Sequence, residues 1–391
     1  MAITAQQLKD LAHACGFELA GIAPALPLED FERFEAWRAA GMAGEMSYLT
    51  DHRGDLRIDP RHLLPSATTV LCVGKLYNTG HPHSTQQGDP TRAWISRYAW
   101  GADYHDVLRE GLELLIQRLM ELHPETFEWK ICIDTAPLLE RSYARAAGLG
   151  WIGKNTCLIN QQQGSWFFLG EVLLSIPLAP DTPPPDRCGT CRRCIDACPT
   201  TAIVPGDQGG WKLDARACIS YLTIEKRGNT PDEIREEGIA NHVFGCDICQ
   251  DVCPWNRGAP VTQETAFAPM MFAPLLNDLA ELTESDFGRT FRRTPIWRAK
   301  YAGFLRNVAV AMGNCGTSEM RAPLERLAAH SNPTVAVAAK RALNFLDRAI
   351  VSRSEQRARM CAPSQGEEAA ALCGARLTPR PFCADSLPDA E

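Results

Sequence analysis

The chain has 391 residues, of which 45% are hydrophobic and 22% charged, and its formal net charge is −7. This composition indicates a globular protein of two or three domains and excludes a disordered or fibrous chain. No run of about 18 apolar residues occurs, so a membrane-spanning helix is not expected. The N-terminal stretch MAITAQQLKDLAHACGF lacks the basic and apolar regions of a secretion signal. We therefore expect a cytoplasmic protein, whose sixteen cysteines are metal ligands or free thiols rather than disulfides.

Residues 1–178 alternate helical and strand-like patterns, which predicts an N-terminal α/β domain, with an α+β domain as the alternative. The helical patterns cover Ala5–Cys15, Leu28–Ala40, Tyr104–Leu122 and Pro137–Ala147. The strand-like patterns cover Glu18–Ala23, Thr69–Lys75, Glu128–Ile133, Thr156–Asn160 and Trp166–Ile176. We expect the last two strands to form a hairpin around the turn at 161–164.

The stretch GLGWIGKN has the Gly148-x-Gly150-x-x-Gly153 spacing of a dinucleotide-binding loop. Such a loop follows a strand and opens a helix, so that the pyrophosphate meets the helix N-terminus. Here the order is the reverse, because the glycines follow a helical pattern and precede a strand-like one. We therefore interpret these glycines as a helix end and a tight turn.

The second half of the chain divides by composition. The proline-rich linker APDTPPPDR precedes a cysteine-rich module at 179–260, and helical patterns at 301–313, 319–330 and 333–349 predict a HEAT-like helical domain at 261–350. Residues 351–391 lose periodicity and are predicted to form a flexible tail. Between residues 286 and 348, eleven Lys/Arg stand against four acids, which gives +7 and leaves −14 elsewhere. This suggests a polyanion site, with an ordinary solvated helix face as the alternative.

The run CGTCRRCIDACPT places cysteines at 188, 191, 194 and 198, directly before a proline. This is the spacing of the bacterial ferredoxin run, whereas zinc sites use two separated pairs of ligands. The second run, CDICQDVCP, supplies only cysteines 246, 249 and 253. If Cys253 crosses to the first cluster, the second lacks one ligand, and Cys218 is the only other cysteine in the module. We assign Cys188, Cys191, Cys194 and Cys253 to the first 4Fe–4S cluster, and Cys198, Cys218, Cys246 and Cys249 to the second.

Two 4Fe–4S clusters in one module indicate an electron relay, with a purely structural role as the alternative. The motifs CGTCRRCIDACPT, CISYLTIEKRG and GCDICQDVCPWN follow an N-terminal region with ISRYAWGADYH and IDTAPLLERSYARAAGLGWIGKN. Together they resemble the epoxyqueuosine reductase family over most of residues 1–350. The resemblance implies a cobalamin-dependent enzyme that reduces an epoxide on the wobble base of tRNA to an alkene, the last step of queuosine synthesis. It also implies an N-terminal fold similar to the cobalamin domain of reductive dehalogenases.

The partners that follow are a tRNA anticodon stem-loop carrying epoxyqueuosine and an external low-potential electron donor, and we expect a monomer. Asp103 and His105 begin the Asp-x-His-x-x-Gly pattern of proteins that supply a histidine to the cobalt, but Leu108 stands in the glycine position. We therefore expect base-off cobalamin without a histidine ligand. His105 is then interpreted as a packed or hydrogen-bonded helix residue.

The reaction needs two electrons and two protons, and the resemblance assigns the role of proton donor to Asp134. This residue follows the apolar strand FEWKICI, so we expect burial to raise its pKa and keep it protonated. The alternative is an N-cap of the next helix, which begins near Pro137.

Further cofactor and substrate contacts are expected at matching or neighbouring positions. Those implied for cobalamin are Arg57, Arg97, Asp134, Gly153, Leu158, Ser220, Thr223 and Asp247, with Lys154 and Asn155 added by proximity. For the two arginines, a surface ion pair is the alternative. Those predicted for tRNA are Lys226, Arg227, Arg306, Lys340 and Arg341.

Two other functions are open at this point. A corrinoid reductase acting on a small molecule would need neither the basic helical segment nor a cytoplasmic location. A ferredoxin-type electron carrier would need neither Asp134 nor a corrin site.

Overall fold

The computed structural model describes residues 3–207, 209–230 and 236–361, without the side chains of 236–237 and 349–361. Its helices are α1 Ala5–Ala14, α2 Asp30–Ala39, α3 Ser47–Thr50, α4 His52–Leu56, α5 Tyr104–Leu122, α6 Glu140–Ala146, α7 Arg193–Asp196, α8 Ile219–Ile224, α9 Ile248–Asp251, α10 Leu276–Ala280, α11 Glu284–Phe291, α12 Lys300–Cys315, α13 Arg321–Ala328 and α14 Pro333–Cys361. Its strands are β1 Leu19–Pro24, β2 Thr69–Leu76, β3 Trp94–Ile95, β4 Trp129–Cys132, β5 Trp151–Ile152, β6 Leu158–Ile159, β7 Phe167–Leu174, β8 Ile203–Pro205, β9 Trp211–Leu213 and β10 His242–Phe244. None of the described helices is long and apolar enough to cross a membrane.

The N-terminal region is built on a four-stranded sheet in the order β1-β2-β7-β4. All three strand pairs are antiparallel. The predicted α/β class is therefore wrong in detail, and the arrangement is α+β, because parallel strands joined by helical crossovers are missing from the described sheet.

Helices cover both faces of this sheet because its strands alternate two sets of apolar residues. Leu71 and Val73 of β2 share one core with leucines of α1 and α5. Val70 and Cys72 of the same strand belong to a second core, which includes Tyr143 of α6. Along α5 the apolar positions recur every three or four residues, and Asp103 caps its first turn, so the sequence predicted this helix with its observed limits.

The predicted hairpin between 156–160 and 166–176 is wrong. Strand β6 pairs with β5, whereas β7 joins the main sheet. The GLGWIGKN stretch is the connection from α6 into β5. Gly148 ends α6 with φ of +81°, and a Cβ on Gly150 would lie 2.2 Å from the carbonyl oxygen of Ile159. These glycines are thus required by a helix end and a close strand contact, as predicted.

The C-terminal helices form a third core, dominated by α12, α13 and α14. This core also takes in Trp94, Ile95, Val243 and Phe244, which belong to the parallel pair β3–β10. Residues from the N-terminal and cysteine-rich regions thus help to bury the C-terminal helices. The HEAT-like class stays a prediction. The predicted tail is helical as far as Cys361, and residues 362–391 lie outside the described residues.

Strand β7 carries an unusual buried carboxyl. Glu171 is 0% exposed, and both its oxygens lack a hydrogen-bond partner among the described residues. It lies between Cys72 of β2 and Cys132 of β4, and it faces the side of the sheet that α6 covers. Burial, with the nearby carboxylates of Glu140 and Asp134, raises the pKa of Glu171 well above its ordinary value. The folded protein therefore holds this carboxyl in its neutral form.

We predict that Glu171→Gln stabilises the protein increasingly as the pH rises. Folding raises the pKa of this acid. Its contribution to stability is therefore complete below the unfolded pKa, about 4.3, and is lost as the pH rises through the folded pKa. The loss is about 1.4 kcal/mol per pH unit between the two values. The neutral amide does not titrate, so the melting temperature of the variant should exceed that of wild type at pH 8 and approach it near pH 5.

Glu113→Gln, on the exposed face of α5, is the matched control and should leave the melting temperature of wild type unchanged at each pH. Parallel curves for Glu171→Gln and wild type between pH 5 and 8 would contradict the buried neutral carboxyl.

Candidate active site

Asp134 lies in the loop between β4 and α6, with a left-handed backbone φ of 47°. Such a conformation costs a non-glycine residue about 1–3 kcal/mol. It is held by the backbone N–H of Asp134, which donates to Oε1 of Glu140 at the start of α6. The side chain is 43% exposed, so the predicted buried position is wrong. The alternative role as helix cap is excluded as well, because α6 begins only after Leu139.

His105 connects Asp134 to a second carboxylate. Its Nδ1 lies 2.7 Å from Oδ1 of Asp103, and its Nε2 lies 3.4 Å from Oδ2 of Asp134. The ring of Tyr104 stacks on the imidazole with a centroid distance of 4.2 Å. His105 is therefore a helix residue hydrogen-bonded through Nδ1 to Asp103, as predicted, and its Nε2 forms an ion pair with the expected proton donor. The Asp-x-His spacing was the signal, since it places both side chains on the first turn of α5.

The charges of this pair differ from the prediction. Burial acts to raise the pKa of Asp134, but the hydrogen bond and charge of His105, with help from Arg298 and Tyr104, outweigh burial and lower it. Burial acts to lower the pKa of His105, but its two carboxylate partners raise it to about 9. At neutral pH the carboxylate is thus ionised and the transferable proton resides on the imidazolium.

Arg298 and Tyr48 complete the surroundings of Asp134, and no motif in the sequence had pointed to either residue. The guanidinium of Arg298 lies 5.3 Å from the ring centre of Tyr48, 4.0 Å from Oδ2 of Asp134 and 2.5 Å from Oε1 of Glu225. Burial, with the charge of Glu225, raises the pKa of Tyr48 to about 12, so its phenol stays protonated. The site is therefore assembled from α3, α5, the β4–α6 loop and the segment before α12.

The four cysteines assigned to the first cluster surround one cavity of about 330 Å³. They are Cys188, Cys191, Cys194 and Cys253. Within the described residues, no three His, Cys, Asp or Glu side chains converge on a point suited to a single metal ion. A 4Fe–4S cluster requires thiolates around a volume rather than at a point, so this donor set fits a cluster.

The second set also gathers in one place. The thiols of Cys198 and Cys218 lie close enough to Cys246 to raise its pKa further, after burial as the larger cause. Cys249 is likewise affected by Cys246 and Cys218, and its thiol hydrogen-bonds that of Cys157. The residues present therefore fit a second cluster, with Cys157 as a neighbouring thiol that the sequence did not single out.

Lys154 and Asn155, expected beside the corrin, instead contact the cluster loops. The ammonium of Lys154 donates to the carbonyls of Gly189 and Cys191, at 2.6 and 2.8 Å. The amide of Asn155 donates to the carbonyl of Cys249 at 3.3 Å, and both side chains line the first cavity. Asn155 thus lies between the two sets of cysteines, and contact of both residues with cobalamin stays a prediction.

Four other expected corrin contacts are turned into the protein. Arg97 is 2% exposed and donates to the carbonyls of residues 79, 81 and 82, and Asp247 is 2% exposed and bonded to the 94–97 segment. The hydroxyl of Thr223 donates to the carbonyl of Ile219 and accepts from a backbone N–H, and Leu158 packs in the core beside α6. Contact of these four residues with a corrin stays a prediction, and the hydrogen bonds and packing described here hold them in place within the protein.

The remaining corrin candidates are Arg57, Ser220 and Gly153. The guanidinium of Arg57 bonds the carbonyls of Tyr48 and Arg53, and Ser220 bonds the thiol of the ligand Cys218. A Cβ on Gly153 would lie 2.5 Å from Ile159, so packing alone requires a glycine there. The side chains therefore do not by themselves define a corrin site.

The predicted tRNA contacts divide by exposure. Arg306 is 2% exposed and donates to the carbonyls of Leu222, Lys226 and Gly228, so it is a structural residue and its assignment to a phosphate is corrected. Lys226 forms an ion pair with Glu45. Arg341 is half-buried and donates to the carbonyl of Thr230, whereas Arg227 and Lys340 are exposed.

Two family models match the chain. The model described as 4Fe–4S double cluster binding domain matches residues 187–256, which contain all eight assigned cysteines. The model described as epoxyqueuosine reductase QueG, DUF1730 matches residues 57–135, which contain His105 and Asp134. The two functional regions described above thus each belong to a known family.

Curated relatives and solved structures extend this similarity to most of the chain. An epoxyqueuosine reductase from Xanthomonas campestris pv. campestris is 43% identical over 329 residues, which is 82% of this chain and 90% of the relative. The Escherichia coli K12 epoxyqueuosine reductase is 39% identical over 318 residues, 81% and 82% of the two chains. A crystal structure of epoxyqueuosine reductase with an epoxyqueuosine-modified tRNA-Tyr stem loop superimposes with a TM-score of 0.78 at 29% identity, over 93% and 95%.

We predict that Cys218→Ser removes the fourth ligand of the second cluster. Two 4Fe–4S clusters hold about eight iron atoms, so the anaerobically purified variant should retain about four per chain. Iron analysis and the visible absorption of the clusters measure this loss.

Cys157→Ser is the matched control, because Cys157 also lies beside Cys249 but is not assigned as a ligand. It should keep about eight iron atoms. Loss of iron from Cys157→Ser, with a full complement in Cys218→Ser, would exchange the roles of the two cysteines.

Proposed function

The chain belongs to the epoxyqueuosine reductase family, and on that premise we propose how it reduces the epoxide of epoxyqueuosine in tRNA to an alkene. The reaction consumes two electrons and two protons and releases one molecule of water. The observation that carries the proposal is the placement of a proton-bearing pair, His105 and Asp134, in a chain with a double-cluster module. The relative bound to a modified tRNA stem loop favours tRNA over a small molecule as the substrate.

We propose that the first proton reaches the epoxide oxygen through Asp134. His105 is charged at neutral pH, and its Nε2 lies 3.4 Å from Oδ2 of Asp134. The partly exposed carboxylate accepts this proton and presents it to the substrate oxygen, while Asp103 on Nδ1 stabilises the charge that His105 carries at rest. The guanidinium of Arg298 lies 4.0 Å from Oδ2 of Asp134 and helps to hold the carboxylate, and Tyr48 packs against this guanidinium.

Cobalamin is the proposed cofactor between the clusters and the substrate. Both ring nitrogens of His105 are engaged by carboxylates, which supports base-off cobalamin without a histidine ligand. When bound, this cofactor supplies a cobalt centre that carries the two reducing electrons. The side chains that the resemblance implies, among them Arg57, Arg97, Ser220 and Asp247, stay the proposed contacts, together with backbone groups.

For tRNA we propose that Arg227 and Lys340 contact phosphates. Both are exposed, and Lys340 lies in the segment from 286 to 348, which carries a formal charge of +7. Each contact to a phosphate releases condensed counterions, so it contributes to affinity in a salt-dependent way.

We predict that Asp134→Asn abolishes the reaction and that His105→Gln slows it about 100-fold, the contribution of one positioned proton donor. Wild-type turnover should be present below pH 9 and fall as the pH rises through the pKa of His105, about 9, because only the protonated imidazole supplies the proton. In His105→Gln this alkaline limb should disappear. The measurement is single-turnover conversion of a modified stem-loop, followed by the mass of the released nucleoside.

Iron content and the visible bands of added cobalamin serve as controls, and both should be unchanged in the two variants. An unaltered alkaline limb in His105→Gln would remove His105 from the proton path. Absence of corrin bands from the wild-type protein after incubation with cobalamin would overturn the cofactor proposal.

We predict that Lys340→Glu weakens binding of the stem-loop and lowers the slope of log affinity against log salt by about one. Lys130→Glu, an exposed lysine on the edge strand β4, is the matched control and should leave the slope unchanged. Both slopes are measured by titrating fluorescent stem-loop at salt concentrations between about 50 and 200 mM, because affinity that depends on phosphate contacts falls over this range. Equal slopes for wild type and Lys340→Glu would contradict the phosphate contact.

A further inference from the structure

The mouth of the cavity that holds the first set of cysteines is basic. Lys154, Arg187 and Arg193 line it, and none of the described residues that line it is acidic. Arg192 directly precedes Arg193 in the sequence, and its guanidinium lies 5.2 Å from the ring centre of Trp211. We call Lys154, Arg187, Arg192 and Arg193 the basic rim.

The basic rim is exposed where it surrounds the cavity. The three arginines are exposed, whereas Lys154 is fixed by two carbonyls of the cluster loop. Two acids lie in the same loops: Asp186 accepts from the backbone N–H of Cys188, and Asp196 lies 3.4 Å from Arg192. Four cations therefore face two carboxylates, on a chain whose net charge is −7.

The rim is better suited to attract a partner than to stabilise the cluster. A solvent-exposed charge contributes little to the stability of a neighbouring ion, because water screens it. The same charges around a concave mouth raise the rate of association with an oppositely charged partner by about 10 to 1,000-fold. Lys154 alone, held against the cluster loop, is placed to balance the charge of the thiolates.

The position of the rim fits an entry point for electrons. Asn155 lines this cavity and also bonds the carbonyl of Cys249, a ligand assigned to the second cluster. The first cluster is thus the one at the basic mouth, and the second is its neighbour within the protein. Asp134, His105 and Arg298 are not among the residues that line the cavity, so a partner bound there leaves the proton-transfer site free.

We propose that the basic rim is the docking surface for a small acidic one-electron carrier protein, which reduces the first cluster. In each encounter the carrier loses one electron and the cluster gains it, and two encounters supply the two electrons of one epoxide reduction. The proposal rests on the proposed function, because it concerns the source of the electrons used there.

The test measures reduction of the clusters in the full chain purified anaerobically with its iron–sulfur clusters, without tRNA or added cobalamin. Reduced plant-type 2Fe–2S ferredoxin, an acidic carrier, is mixed anaerobically with wild type or with Arg187→Glu/Arg193→Glu, and the loss of cluster absorption is followed in a stopped-flow instrument. The double variant should react at least about 10-fold more slowly at low ionic strength, and the two rates should converge at high salt, where the Debye length is about 3 Å. Reduced methyl viologen, a small cation, should reduce both proteins at comparable rates.

Arg33→Glu/Arg109→Glu is the matched control, with the same change in net charge at two exposed arginines of α2 and α5. It should react with ferredoxin as wild type does. Equal ferredoxin rates in all three proteins, equal slowing by the control, or slowing of the viologen reaction to the same extent would each overturn the docking surface. Because cluster reduction is read directly, failure of epoxide reduction would leave this result interpretable.

Discussion

The carboxylate of Asp247 holds the cysteine-rich module against the N-terminal region. It accepts hydrogen bonds from the indole of Trp94 at 3.1 Å, from the hydroxyl of Ser96 and from the backbone N–H of Arg97 at 2.8 Å. A buried carboxylate is tolerated only with such partners. Since Asp247 stands between Cys246 and Cys249, these bonds fix where the second cluster loop lies relative to the strand β3 and the segment after it. Gly245 permits the close approach, because a Cβ there would lie 2.5 Å from Ser96.

A second buried polar contact holds the same module from the other side. Arg306 and Asn307 of α12 donate to carbonyls at the end of α8 and in β10, so the C-terminal helices satisfy backbone groups of the cluster segment. Leaving one buried partner of such a set without its hydrogen bond typically costs about 1–3 kcal/mol. The three regions are therefore joined by specific polar groups as well as by the shared apolar core, which restricts how far the cluster module can move.

The sequence predicted those features that depend on local pattern. The spacing of Leu108, Leu112 and Leu115 predicted α5, and the cysteine spacing predicted two ligand sets that the structure brings together. The sequence-based prediction failed for features that depend on residues far away in the sequence. The charge state of Asp134 depends on His105 and Arg298, 29 and 164 positions away. The burial of Arg306 depends on a carbonyl of α8. The predicted hairpin does not form, because β7 pairs with β2 and β4. Short-range periodicity contains no information about these choices.

Arg298 links the C-terminal helices to the chemistry, since it lies just before α12 and within 4.0 Å of Asp134. An anion that draws this guanidinium away weakens one of the attractions that keep the carboxyl ionised, and the affinity of Asp134 for a proton rises accordingly. By thermodynamic reciprocity, protonation of Asp134 loosens Arg298 and favours the anion. An anion bound by Arg298 and a proton on Asp134 would thus be positively cooperative ligands. The Asp134 carboxyl would then bind its proton most tightly while the substrate is bound.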